Sequence, residues 1–106
     1  MTDIVTVYTT FADAEEAARI GRILVEERLA ACANILGPCR SIYRWEGKIE
    51  DAQEVAALFK TRIDMADALI ARLAELHSYE VPAAVVWPIE NALPAYADWV
   101  RAEISR

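Results

Sequence analysis

The order in which strand and helix patterns follow one another is the feature that most limits the fold of this chain. Residues 4–10 (IVTVYTT) are β-branched and aromatic, which is typical of a buried strand. Asp13 then occupies a helix N-cap position with Glu16 three residues later, and apolar residues at helical spacing continue to about residue 31. The chain is therefore predicted to begin with a strand followed by a helix.

A long strand pair is predicted after this first helix. Residues 32–51 form one extended pattern, which is interrupted at Gly37-Pro38 because proline removes a hydrogen-bond donor from the ladder. Residues 52–62 (AQEVAALFKTR) form the third strand. The turn of this hairpin is predicted near Glu50-Asp51.

A second helix and a fourth strand follow the hairpin. Asp64 is predicted to cap the helix, and its apolar residues form a single stripe along one face. The stripe consists of Met65, Leu69, Leu73 and Leu76. Residues 83–89 (AAVVWPI) form the fourth strand, and a short C-terminal helix follows residues 90–94 (ENALP). The complete order is β-α-β-β-α-β plus one helix.

This order predicts a single α+β domain over residues 1–106, with the ferredoxin-like split βαβ arrangement. Both main helices follow strands, so we expect them to cover one face of a four-stranded antiparallel sheet that carries a long hairpin. The other face then remains uncovered. Because exposed sheet faces and edges usually need another chain or a ligand to cover them, the pattern predicts more than one subunit.

Charge and composition limit the partners of the chain. The formal net charge is −6, and an acidic surface repels phosphate backbones, so no nucleic-acid partner is expected. The sequence has neither a membrane-spanning apolar run nor the start of a secretory signal. Cys32 and Cys39 would lie about 23 Å apart on an extended strand, and unpaired thiols fit a reducing compartment. These features together predict a cytoplasmic protein without a membrane contact.

The residues argue against the catalytic and binding functions that this fold often supports. The first strand–helix loop, residues 9–15 (TTFADAE), lacks the Cys-x-x-Cys of copper chaperones and the arginine of acylphosphatase-like sites. The central strands lack the stacking aromatics of RNA-recognition domains. A thiolate–imidazole pair of Cys32 or Cys39 with His77 is the remaining nucleophilic alternative, but strand cysteines are more often small core residues. We therefore expect no enzymatic activity.

The stretch SIYRWEGKIE, residues 41–50, is predicted to be an arm that inserts into a neighbouring subunit. Strand alternation places Tyr43 and Trp45 on one face, with Arg44 and Glu46 on the other. Arg44 and Glu46 would set the register of this arm against the neighbour. The alternative is an ordinary hairpin with an aromatic core face and a solvated outer face.

Five stretches in a specific order resemble the CutA family of divalent-cation tolerance proteins. They are EERLAACANI (26–35), SIYRWEGKIE (41–50), FKT (59–61), LHSYEVP (76–82) and LPAYADWV (93–100). The resemblance covers about residues 4–100 and implies a homotrimer of ferredoxin-like subunits, related in architecture to the trimeric PII signalling proteins. It implies tolerance of copper and other divalent metals, no enzymatic reaction and no required cofactor.

The resemblance also implies a candidate copper site. CutA-like copper ligation is proposed to use a first-strand cysteine, the histidine of an H-x-Y motif and a glutamate after the motif's proline. His77 matches, whereas Tyr8 and Ala83 occupy the other two positions. Glu80 and Cys32 are the remaining candidate ligands. The alternative for His77 is a helix C-terminal residue, where an imidazolium is favoured by the helix dipole.

A second candidate site is the cleft between subunits. The matching stretches supply Lys60, Tyr79, Tyr96 and Trp99 as residues that could line it. For Tyr96 and Trp99 the more common role is interface packing with the polar tip in water. Lys60 ends an apolar strand, where a cation needs an acidic neighbour or an anionic ligand. This site would suit a PII-like regulatory module that binds a small molecule or protein partner.

Overall fold

The structure is a computed structural model and describes residues 2–104. Its elements are β1 (Ile4–Phe11), α1 (Ala14–Glu26), β2 (Cys32–Trp45), β3 (Lys48–Arg62), a 3-10 turn (Ile63–Met65), α2 (Ala66–Leu76), β4 (Ala84–Pro88) and α3 (Pro94–Glu103). The strands form one antiparallel sheet in the order β2-β3-β1-β4. This order confirms the predicted α+β, ferredoxin-like fold with its long hairpin and C-terminal helix.

The main core lies between one face of the sheet and the pair of helices α1 and α2. Its large buried side chains are Val7, Phe11, Ile20, Leu24, Phe59, Leu69 and Leu73. Helix α1 approaches β2 closely at Gly21, where an added Cβ would lie 3.2 Å from the Cβ of Ala33. The absence of a side chain at Gly21 therefore permits the tight helix–sheet contact.

Helix α3 covers one end of the opposite sheet face. Ile4 and Val7 are three residues apart on β1, so their side chains point to opposite faces. Ile4 packs in a second cluster with Ala97, Val100 and Ile104, away from the main core. The face that the sequence predicts to be uncovered is therefore partly covered by the chain's own last helix.

The hairpin turn lies at Glu46-Gly47, since the residues on either side of this pair are ladder partners. Both loop residues have positive φ, 50° and 80°, as a type I′ two-residue turn requires. The turn predicted near Glu50-Asp51 is therefore wrong, because both of these residues lie within the ladder. The glycine, which accepts positive φ without a steric penalty, was the signal for the true turn.

The interruption predicted at Gly37-Pro38 is a β-bulge within a continuous strand. Ile35 pairs with Ala57 and Gly37 with Ala56, so Leu36 has no partner on β3. Gly37 adopts a φ of 97°, which glycine tolerates and other residues rarely adopt. Strand β2 therefore runs through the bulge instead of ending there.

Two predicted helix boundaries differ from the structure. Helix α1 ends at Glu26, about five residues early, and Arg28 has the left-handed φ of 61°. Asp64 does not cap α2, since the N-cap residue is Met65 and has no side-chain capping bond. The Asp64 carboxylate instead forms an ion pair with Arg62, at an N···O distance of 2.9 Å.

Candidate functional site

A cleft of about 710 Å³ lies on the sheet face opposite α1 and α2. Its residues come from β1, from both strands of the hairpin and from the segment between α2 and β4. Four aromatic side chains line it, namely Tyr8, Tyr43, Trp45 and Tyr79. Tyr8 points to this face because it alternates on β1 with Val7, which lies in the main core.

Three carboxylates line the same cleft: Glu46, Glu54 and Glu80. Among residues 2–104, no lysine, arginine or histidine contributes to the lining. Glu46 lies in the hairpin turn, where the positive φ breaks strand alternation. It therefore lines the cleft beside Tyr43 and Trp45, whereas the sequence pattern placed it on the opposite face of the hairpin.

Glu54 is the most deeply placed of these carboxylates, with 7% of its surface exposed. Its Oε2 accepts a hydrogen bond of 2.7 Å from the phenol of Tyr79. Burial of Tyr79, and then this bond to Glu54, raise the pKa of the phenol well above its ordinary value. Tyr79 therefore remains a protonated donor at neutral pH and fixes the position of Glu54 at the wall of the cleft.

His77 lies behind the cleft and does not line it. It is the C-cap residue of α2, and its backbone N–H donates to the carbonyl of Leu73 at 2.9 Å. Its buried ring stacks on Phe11 with centroids 5.0 Å apart. The sequence correctly placed this residue at a helix end, although the ring does not bond to the helix's own terminal carbonyls.

Both ring nitrogens of His77 are already engaged. Nδ1 accepts a hydrogen bond from the backbone N–H of Tyr79 at 3.0 Å, so Nε2 carries the proton. Nε2 donates to the carbonyl oxygen of Thr10 at 2.8 Å. Because a metal needs an imidazole lone pair, His77 could bind one only after releasing one of these contacts. In this structure the ring joins the end of β1 to the segment after α2.

Glu16 on α1 also holds the segment that follows α2. Its backbone N–H donates to Asp13 at 2.8 Å, which confirms the predicted N-cap. Its carboxylate accepts hydrogen bonds from the backbone N–H groups of Ser78 at 2.8 Å and Ala12 at 3.1 Å. Burial raises the pKa of this carboxyl, but the bonds from Ser78 and Ala12 together outweigh it, so the net pKa is lowered.

The lowered pKa of Glu16 predicts a loss of stability in acid. A group whose pKa is depressed by folding stabilises the protein above its unfolded pKa, here about 4.5, and this contribution is lost as pH falls through the lower folded pKa. We expect the stability difference between wild type and Glu16→Gln to shrink as pH falls below 4.5. Urea unfolding of both proteins across pH 3–7 would measure it, and a pH-independent difference would contradict the assignment.

A separate cluster contains the other residues that the sequence singled out. Cys32 Sγ lies 3.6 Å from the phenol oxygen of Tyr96, whose ring packs at 5.8 Å from that of Trp99. Burial, and then the contact with Cys32, raise the pKa of Tyr96 to about 12. Lys60 is the ladder partner of Cys32 and is half-buried. Its ammonium has no recorded hydrogen bond or ion pair within residues 2–104.

The three candidate metal ligands do not come together. Cys32 on β2 is the ladder partner of Lys60 on β3, and Lys60 is in turn the ladder partner of Thr6 on β1. The ring of His77, in contrast, is hydrogen-bonded to the carbonyl of Thr10. Thr6 and Thr10 are four positions apart on β1, a span of roughly 13 Å. Glu80 lines the cleft, away from Cys32. Within the described residues, no group of three His, Cys, Asp or Glu side chains could hold one metal ion.

The sequence reasoning missed Glu16 and Glu54. Glu54 stands directly before the apolar run of β3, where a buried glutamate signals a bonded or functional carboxylate. Glu16 was recognised only as part of a capping pattern. Its bond to Ser78 spans 62 residues of sequence, and no local pattern indicates such a contact.

Comparison with known proteins identifies the family. The family model described as CutA1 divalent ion tolerance protein matches residues 5–103. The chain belongs to the CutA family. The divalent-cation tolerance protein CutA of Pyrococcus horikoshii is 43% identical over 103 residues, which is 97% of this chain and 100% of that protein. The Thermotoga maritima protein of the same name is 42% identical over 101 residues, 95% of this chain and 99% of the other.

Solved CutA structures share this fold. The crystal structure of CutA from Xylella fastidiosa superposes with a TM-score of 0.95 at 41% identity, over 98% of this chain and 100% of that one. A CutA structure from Archaeoglobus fulgidus superposes with a TM-score of 0.93 at 38% sequence identity. The match covers 96% of this chain and 99% of that one. These likenesses confirm both the resemblance found in the sequence and the fold it implied.

The cytoplasmic location expected from the sequence is wrong by this comparison. The Archaeoglobus fulgidus structure is described as a periplasmic divalent cation tolerance protein. The expectation rested on unpaired thiols and on the lack of a basic and apolar leader, and neither feature fixes a compartment. Within residues 2–104, no helix has the length and apolar character needed to cross a membrane.

Proposed function

We propose that this CutA-family chain works as a homotrimer in the response to divalent cations, without an enzymatic reaction of its own. The exposed hairpin is the observation that supports a trimer. The molecule extends 44 Å along its longest axis but only 26 and 22 Å across it. Strands β2 and β3 make a long projecting arm, which suits insertion beside a neighbouring subunit.

The exposed side chains of the hairpin support assembly. Tyr43 and Trp45 are each more than 40% exposed, and Ile42 and Ile49 are more than 60% exposed. Large apolar side chains exposed together along one hairpin favour an interaction site in this segment. Arg44 has no recorded ion pair within residues 2–104, so it is available to a neighbour. We propose that this arm, with Tyr43, Arg44, Trp45 and Glu46, forms the trimer interface.

We expect weak copper binding at the ligand positions that the family resemblance suggests. Tyr8 and Ala83 both line the cleft at positions where the family's proposed copper ligands are a thiol and a carboxylate. Compared with a thiolate or a carboxylate, a tyrosine phenol is a poorer copper ligand, and the methyl group of alanine is none. His77 has both nitrogens bonded, and its remaining candidate partners Glu80 and Cys32 lie in different places. A strong dedicated copper site is therefore not part of the proposal.

A second candidate function is a regulatory module that binds a small molecule or a protein partner. The cleft of about 710 Å³ favours it, since ligand sites typically have volumes of 300–1,000 Å³. Lys60, with Tyr96 and Trp99 nearby on the same sheet face, is a further contact point that a subunit interface could enclose.

Growth under copper stress tests the proposed role. In a bacterial strain that lacks its own CutA, expression of this chain should restore growth at a copper concentration that inhibits the strain. The hairpin variant Ile49→Asp, produced to the same level, should restore it less because assembly is impaired. Equal growth with the chain and with an empty vector would contradict a role in divalent-cation tolerance.

A further inference from the structure

We propose that Lys60 forms an ion pair with a carboxylate on the hairpin of a neighbouring copy of this chain, supplied by Glu46 or Glu50. The inference rests on the homotrimer proposed above, and it names a contact that holds the arm of one subunit on the sheet of the next. Four observations support it: the surroundings of Lys60, the face on which it lies, its distance from its own hairpin turn, and the carboxylates that the hairpin leaves unpaired.

Lys60 is a half-buried cation without an acidic neighbour on its own sheet. Its ladder partners are Thr6 on β1 and Cys32 on β2, and neither carries a carboxylate. Leu58 and Arg62, two positions away on β3, are not acidic either. Within residues 2–104, the ammonium of Lys60 has no recorded hydrogen bond or ion pair. The negative charge that would complete this site therefore has to come from another molecule.

Exposed apolar side chains share a sheet face with Lys60. Phe59 lies in the main core, so strand alternation places Lys60 on the opposite face. Val85 and Trp87 on β4 point to the same face, since Val86 between them packs against the main core, and they are 45% and 47% exposed. Such side chains favour coverage by another chain. Once a subunit covers this face, water no longer solvates the ammonium fully, and the neighbour has to supply a negative charge.

The chain's own hairpin turn is too far away to supply that charge. Lys60 lies ten positions from Glu50 and twelve from Lys48 along β3, which correspond to roughly 33 and 40 Å. Glu46 lies beyond Lys48, in the turn itself. A carboxylate from this part of the hairpin reaches Lys60 only when another copy brings it. The projecting arm is also the element that we propose to contact the neighbouring subunit.

Glu46 and Glu50 are the hairpin carboxylates that remain unpaired in the single chain. Asp51 accepts two bonds, of 2.8 and 2.6 Å, from an arginine on β2. Glu54 accepts the bond from the phenol of Tyr79. Within the described residues, Glu46 and Glu50 have neither a recorded ion pair nor a recorded hydrogen bond. Opposite charges placed across an interface fix its register and disfavour other arrangements. Either carboxylate therefore complements Lys60 across the proposed contact.

Reversal of the two charges tests the pair. We expect Lys60→Glu to raise the dissociation constant of the trimer about tenfold or more, because it places like charges at the contact. The matching hairpin reversal, Glu46→Lys or Glu50→Lys, should have the same effect. The double variant should return to within about threefold of wild type, because the ion pair is rebuilt with its charges exchanged. Sedimentation velocity over a series of protein concentrations would measure each dissociation constant.

A further double variant controls for total charge. Lys60→Glu combined with Glu15→Lys has the same net charge, but Glu15 is exposed on α1, on the other side of the sheet, so this protein should stay weakened. Unchanged assembly of Lys60→Glu would overturn the proposal, and so would equal restoration by all the double variants or by none of them.

The single hairpin variants keep the test valid if Lys60→Glu does not fold. Glu46→Lys changes only an exposed side chain in the turn, and unchanged assembly of both Glu46→Lys and Glu50→Lys would overturn the ion pair. The wild-type protein separates this inference from the homotrimer on which it rests. A wild type that does not assemble would overturn both, whereas a wild-type trimer that none of these variants weakens would overturn the ion pair alone.

Discussion

Replacement of His77 by alanine is expected to destabilise the protein by about 2–4 kcal/mol. The change removes the two hydrogen bonds of the ring. The N–H of Tyr79 then loses this partner, and the carbonyl of Thr10 keeps the longer bond of 3.4 Å from the hydroxyl of Thr9. It also leaves a cavity where the imidazole stacks on Phe11. His77 thus has a structural role behind the cleft, although the sequence singles it out as a candidate metal ligand.

Urea unfolding at one fixed protein concentration would measure this loss of stability, since the midpoint of an oligomer depends on concentration. Glu80→Ala is the matched control, because Glu80 is also a candidate ligand but is exposed and has no recorded hydrogen bond in the described residues. We expect it to change stability by no more than about 0.5 kcal/mol. Unchanged stability of His77→Ala together with the loss of tight Cu(II) binding in calorimetry would show that His77 is a ligand instead.

Introduction of a charge on the hairpin is expected to break the assembly. Ile49→Asp replaces an apolar side chain that is 61% exposed in the single subunit and that the proposed interface would bury. An unpaired carboxylate buried at such an interface is costly, so the dissociation constant should rise at least about thirty-fold. Sedimentation velocity over a series of protein concentrations would measure the shift from large to small species.

Ile63→Asp provides the control for this experiment. Ile63 is 59% exposed, almost the same as Ile49, but it lies in the 3-10 turn before α2, outside the hairpin. The two variants therefore add the same charge at equally exposed positions. Dissociation caused by Ile49→Asp alone would support the hairpin as the interface. If both variants dissociate equally, or neither does, the hairpin is not the specific contact.

Most of the fold could be predicted because it depends on local patterns. The β-branched run at the N-terminus and the apolar stripe of α2 each signal their element without help from distant residues. The boundaries were less predictable. The turn was misplaced because charged residues at Glu50-Asp51 resemble a loop, whereas Arg40 holds Asp51 within the hairpin through bonds of 2.8 and 2.6 Å.

The candidate site was only partly predictable, for a physical reason. Tyr79 and Glu80 lie in the stretch LHSYEVP, and the resemblance of this stretch to the CutA family marked them as candidates. Glu54 reaches Tyr79 from 25 residues away, and this contact depends on how the segment after α2 lies against the sheet. The roles of His77 likewise depend on which groups face its two nitrogens, and only the tertiary structure shows them.

Native mass spectrometry of the wild-type protein at micromolar concentration would show whether the chain assembles as a homotrimer. We expect one dominant species with three times the 11.8 kDa mass of the chain. The Ile49→Asp variant, measured under the same conditions, should show mainly the 11.8 kDa species. A wild-type spectrum dominated by the single chain, or by an assembly other than three copies, would contradict the account.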